Sequence, residues 1–94
     1  MYINDIVWLD EIVDKIESEH HVYKEEVEEV FDNRPKYRKG KKGKYEGEDL
    51  YYAYGRNDSG RYLFVVFIYK LNKNALIISA RDMDDDERRK YARK

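Results

Sequence analysis

Residues 61–81 read RYLFVVFIYKLNKNALIISAR, and this stretch decides the fold. Its two apolar runs, 62–69 and 75–79, are rich in Val, Ile, Phe and Tyr, residue types that fit a pleated, half-buried surface. Between them, Lys70, Leu71, Asn72, Lys73 and Asn74 have the composition of a hairpin turn. Neither run approaches the roughly twenty apolar residues of a membrane span. The pair is therefore expected as the central strands of an antiparallel sheet, with Arg61 and Arg81 at their outer ends.

Working outward, residues 1–8 predict a short first strand, with Ile6 and Trp8 alternating around Val7. From Leu9 the period changes. Leu9, Ile12, Val13 and Ile16 fall at helical spacing, while Asp10, Glu11, Asp14, Lys15 and Glu17 face away. This helix should end near His20-His21. A second carries Tyr23, Val27, Val30 and Phe31 as its apolar stripe and Glu25, Glu26, Glu28 and Glu29 on its exposed face, and Pro35 ends it. From Glu48, Leu50, Tyr52 and Tyr54 alternate with Tyr51 and Ala53 as a further strand. Asn57-Asp58-Ser59-Gly60 then turns the chain into the central hairpin. At the far end, Asp84 and Glu87 have capping-box spacing, and Arg88, Arg89, Lys90, Arg93 and Lys94 follow where they favour the helix dipole. The expected fold is α+β, one domain over 1–94. Its four-stranded, mainly antiparallel sheet carries two N-terminal helices and a C-terminal helix in the order β-α-α-β-β-β-α.

The net charge of −1 hides a segregation. Residues 1–32 hold 11 acidic and 2 basic side chains, whereas residues 33–45 (NRPKYRKGKKGKY) hold 7 basic and none acidic. That second stretch has no hydrophobic period and two glycines, so it is expected as a mobile basic loop. No cysteine is present, which excludes disulfides and thiolate chemistry, and with two histidines no metal site is expected. No cofactor is expected either. The opening Tyr-Ile-Asn-Asp shows no basic region before an apolar stretch, so no signal peptide is expected and a cytoplasmic protein is.

The basic loop supplies the first candidate chemistry. Arg34, Lys36, Arg38, Lys39, Lys41, Lys42 and Lys44 can neutralise phosphates, and Tyr37 and Tyr45 can stack on bases, a pattern that suits single-stranded nucleic acid. A solvated loop, or a dock for an acidic partner segment, is the alternative. The second candidate is the arginine pair. Antiparallel pairing brings Arg61 and Arg81 to the same end of the sheet, where two guanidinium forks can hold one phosphate. Asp58, Asp82 and Asp84 are close enough in sequence to neutralise them instead. His20, beside His21, is the candidate general base near neutral pH, or else a structural histidine at a helix end. Arg88 and Tyr91 on the last helix stand nearest to the arginine pair.

Taken in order, Trp8, His20 to Val22, Glu25-Glu26, Val30-Phe31, Gly60-Arg61 running into Tyr62–Phe67, Ile77 to Arg81, and Glu87-Arg88-Arg89 with Tyr91 form a pattern that resembles the BrnT-type toxins. His21 stands where that family usually has Gly. These toxins are small relatives of the RelE/ParE superfamily. The resemblance implies helices packed on one face of an antiparallel sheet. It further implies a metal-independent endoribonuclease of the mRNA-interferase kind, which attacks RNA through the 2′-OH and so inhibits translation. The implied partner is a BrnA-like antitoxin that carries the DNA-binding domain, so DNA is met only through it. The site residues it implies are His20, Arg61 and Arg81, with Arg88, Arg89 and Tyr91 supporting from the C-terminal helix. Two alternatives stand beside it. One is a catalytically weakened relative acting mainly through antitoxin binding, motivated by the acidic run 82–86; the other is a non-catalytic RNA-binding module.

Overall fold

The computed structural model describes residues 1–93; Lys94, expected at the cationic end of the last helix, lies outside the described residues. The central hairpin forms as expected. Tyr62–Tyr69 (β4) and Ala75–Asp82 (β5) pair antiparallel. The turn between them closes through Lys70 N–H to the Asn74 carbonyl at 2.9 Å and Lys73 N–H to the Lys70 carbonyl at 2.8 Å. Leu50–Arg56 (β3) pairs antiparallel with β4 across the Asn57–Gly60 turn.

The sheet has five strands, not four, and it is mixed. Ile6–Val7 (β1) lies parallel to β5, and Lys36–Lys39 (β2) lies antiparallel to β3, giving the order β1-β5-β4-β3-β2. The first strand shrinks to two residues because the chain must leave the sheet to start a helix behind Leu9. The basic stretch is partly a strand rather than a loop. At its centre only Tyr37 packs inward, on Phe31 and Phe67, so a four-residue edge strand shows no apolar period. Lysine-rich edges of this kind also discourage pairing with other chains.

Asp10–His20 (α1) and Lys24–Asp32 (α2) cover one face of the sheet. Ile16, Val22, Val27 and Val30 from the helical side meet Leu63, Val65, Phe67, Ala53, Ala75, Ile77 and Ala80 from the strands, all fully buried. Each large apolar side chain among them contributes about 1.5–3 kcal/mol. His21 ends α1 in the left-handed region at φ 54°, with its N–H on the Glu17 carbonyl and the Val22 N–H on the Ile16 carbonyl, both at 3.1 Å. The first of these is the bond of an αL helix cap, at a position that favours glycine. Of the four glutamates expected on the exposed face of α2, three hold structure. Glu26 faces Arg61 and Asn57, Glu28 accepts from the Trp8 indole at 3.2 Å, and Glu29 accepts from the Asp58 N–H at 3.0 Å.

Asp85–Ala92 (α3) begins at the expected capping box: Glu87 N–H donates to Asp84 Oδ1 at 2.8 Å and Asp84 N–H to Glu87 Oε1 at 2.9 Å. It does not join the other helices. Its Arg88 and Tyr91 lie on Tyr62, whose neighbour Leu63 points to α1 and α2, so α3 caps one end of the opposite face. α3 buries none of its residues. No helix among the described residues is long and apolar enough to cross a membrane.

Candidate functional site

Strand alternation sends Leu63, Val65 and Phe67 into the core and Tyr62, Phe64 and Val66 to the other face. On β3, small Ala53 and Gly55 face the core, so Tyr52, Tyr54 and Arg56 join the outer set. The result is a half-exposed aromatic row. Phe64 lies 5.2 Å from Tyr52 and 5.1 Å from Tyr54, ring centre to ring centre, and Tyr62 meets Tyr91 edge-on at 5.9 Å. Cations edge it. Arg81 stacks 4.4 Å over Phe64, Arg88 and Arg56 stand 4.3 and 4.7 Å over Tyr62, and Lys36 is 5.0 Å from the Tyr91 ring.

Between β2 and α3 this face deepens into a cleft of about 440 Å³, lined among others by Lys36, Arg38, Tyr54, Glu87, Lys90 and Tyr91. Lys36 also ties the two walls together by donating to the carbonyls of Tyr91 and Arg93. Burial, with the Glu87 carboxylate nearby, pushes the Tyr54 phenol above its ordinary value, so it keeps its proton. Aromatic faces bordered by guanidinium and ammonium groups suit stacked bases and a phosphate backbone.

The two arginines singled out by sequence stand at the same end of the sheet but on opposite faces. A β-bulge separates them. Pairing passes from Phe67 with Ile77 to Val66 with Ser79, so Ile78 is an extra residue in β5. Every side chain after it changes face, Ala80 turns inward, and Arg81 turns outward beside Phe64. Arg61 stays on the helical side. Its Nε and Nη2 grip Asp82 at 2.7 and 3.0 Å, Nη1 meets Glu26 at 3.2 Å and the His21 carbonyl at 2.8 Å, and Nη2 reaches the His20 carbonyl at 3.2 Å. All five N–H donors of the guanidinium are thereby used. Arg81 is less committed. Nη1 and Nη2 clasp Glu87 at 2.8 and 3.0 Å, and Nη1 also donates to the Asp82 carbonyl at 2.9 Å. Its Nε–H and one Nη2–H have no protein acceptor among the described residues.

The structure thus brings Arg81, Arg88, Tyr91, Lys36 and Arg38 to one face. His20 lies beyond that face, at the end of α1, where its carbonyl accepts from Arg61. Tyr37 points to the core, Lys39 pairs with Asp49 at 3.4 Å, and Arg34, Lys41, Lys42 and Lys44 are exposed outside the aromatic row. Tyr52, Tyr54, Tyr62, Phe64 and Arg56 are not among the site residues expected from sequence. The signal was present: Ala53 and Gly55 alternate with two tyrosines and an arginine, and small residues inside leave the large ones outside.

Comparison with known proteins places the chain. Residues 9–87 match the family model described as the ribonuclease toxin BrnT of type II toxin–antitoxin systems. The crystal structure of the Brucella abortus ribonuclease toxin BrnT superposes with a TM-score of 0.64 at 16% identity, covering 86% of this chain and 97% of that one. Comparison with curated proteins gives no match. With 79 consecutive residues matched and the same fold, this chain belongs to the BrnT ribonuclease toxin family of type II toxin–antitoxin systems.

Proposed function

We propose that this protein is an endoribonuclease toxin that cleaves single-stranded RNA on the open face of its sheet. The carrying observation is the aromatic row Tyr52–Tyr54–Phe64–Tyr62, edged by Lys36, Arg38, Arg56, Arg81 and Arg88. Bases stack on the rings while the cations hold the phosphates. The substrate's own 2′-oxygen bonds to phosphorus as its proton passes to water in the open cleft. Arg81 and Arg88 stabilise the charge that builds on the phosphorane oxygens. The bond to the 5′-oxygen then breaks, and Tyr54, held protonated, gives that oxygen its proton. The products are a 2′,3′-cyclic phosphate and a 5′-hydroxyl, with no metal in any step. Tyr91 and Arg38 orient the chain, whereas Arg61 and His20 belong to the scaffold.

The toxin acts in the cytoplasm, stops translation, and is held by a BrnA-like, DNA-binding antitoxin, with DNA reached only through that partner. Expression without the antitoxin should arrest growth, and an Arg81→Ala variant that still folds should not. Unimpaired growth with folded wild-type protein overturns the reading. A second reading, antitoxin and RNA binding without turnover, is favoured by the carboxylates on both arginines. It predicts bound RNA that yields no cyclic phosphate.

A further inference from the structure

We infer that Glu87 is a positioning residue, holding Arg81 so that the free edge of its guanidinium, Nε–H with one Nη2–H, receives an RNA phosphate. The inference deepens the RNA-cleaving reading and rests on it. A guanidinium offers two forked edges and two flat faces. Glu87 fills the end fork with both carboxylate oxygens, at 2.8 and 3.0 Å. Phe64 takes one flat face at 4.4 Å, and the Asp82 carbonyl takes the remaining Nη1 proton at 2.9 Å. What remains is the side fork, whose two parallel N–H groups match two phosphate oxygens.

Glu87 is itself immobile because it is the third residue of α3 and closes that helix's capping box. Its Oε1 accepts from both the Asp84 N–H and Arg81 Nη1. The start of α3 therefore doubles as the mount for Arg81. That role explains why an acidic helix start stands beside a cationic face, and why a helix with no buried residue stays on the sheet. An internal competitor for the phosphate would be the opposite device, with the opposite sign on substitution.

The test compares cleavage of a single-stranded RNA oligonucleotide by wild type, Glu87→Gln and Asp85→Asn. Glutamine keeps the cap but offers one oxygen, so the two-point grip on Arg81 is lost. Glu87→Gln should lower kcat about 10- to 100-fold with KM within about threefold. Asp85→Asn removes the same charge from the same turn and should stay near wild type. Free guanidinium ion at tens of millimolar should restore about tenfold or more of the activity of Arg81→Ala, because Glu87 and Phe64 still form its socket, and none of that of Arg81→Ala/Glu87→Gln. Faster cleavage or tighter RNA binding by Glu87→Gln, equal effects of the two single substitutions, or equal rescue of both Arg81 variants overturns the inference. Cleavage by wild type that survives Arg81→Ala sinks this assignment and the part given to Arg81 in the reaction, and leaves an RNA-cleaving protein standing. Wild type that cleaves no RNA sinks the RNA-cleaving reading and this assignment with it.

Discussion

Arg61 is the residue on which three segments converge: Asp82 at the end of β5, Glu26 on α2, and the carbonyls of His20 and His21 where α1 stops. Removing it leaves the Asp82 carboxylate and two helix-end carbonyls without their donor, and the partly buried Glu26 with only Asn57 and the Tyr23 N–H. Arg61→Met should therefore cost about 2 kcal/mol, a fall of roughly 10 °C in the unfolding midpoint. A fall under about 2 °C would contradict the structural role. The same pair sets a pH dependence. The hydrogen bonds from Arg61 hold the Asp82 carboxyl below its ordinary value, and those from Arg81 do the same for Glu87. A depressed folded-state value means the stabilisation is full above the unfolded-state value, about 4 for these groups, and is lost as pH falls through the folded one. The stability gap between wild type and Arg61→Met should thus be constant from neutral pH to about 5 and close below about 4. Urea unfolding at pH 6 and pH 3 checks it, and an unchanged gap at the lower pH removes Asp82 as the partner that matters.

At the scale of elements, β3 crosses under α2 and the start of β2 at Gly55. A Cβ there would stand 2.9 Å from Val30 Cγ1 and 3.1 Å from Pro35 Cβ, both on buried residues. Gly55→Ala should destabilise by about 1–3 kcal/mol, although alanine suits a strand better than glycine does. A neutral or stabilising result would mean that α2 and Pro35 give way easily. The elements that could be read from sequence were those with a strong local period or a local bond: the β4–β5 hairpin, the alternating β3, α1, α2, and α3 with its Asp84–Glu87 box. β2 escaped because Lys36, Arg38 and Lys39 are polar and only Tyr37 faces inward; its strand character comes from pairing with β3, which lies 14 residues further on (Arg38 with Tyr52). The site was legible in part for the same reason. Hairpin pairing put Arg61 and Arg81 at one end of the sheet, but the bulge at Ile78 that sends them to opposite faces leaves no trace in the apolar run Ala75–Ile78.

Taken as one object, the molecule sorts its charge by face. The acidic residues of α1 and α2 lie on the helical side, while the open face gathers Lys36, Arg38, Arg56, Arg81 and Arg88 around the aromatic row, with Asp84, Asp86 and Glu87 on the α3 wall of its cleft. A net charge of −1 therefore does not oppose RNA binding, since screening confines each charge to roughly 8–10 Å at physiological salt. Binding should be steeply salt-dependent despite that net charge. If four of these cations each meet a phosphate, log Kobs should fall against log salt with a slope of roughly −3 for a single strand. An uncleavable 2′-O-methyl RNA allows that slope to be measured without turnover. Arg38→Gln should make it shallower by about 0.7, because one phosphate contact goes, whereas Glu25→Gln on the exposed side of α2 should leave it alone. A slope near zero, or one that responds to Glu25 and not to Arg38, would move the RNA off the open face and with it the whole placement of the chemistry.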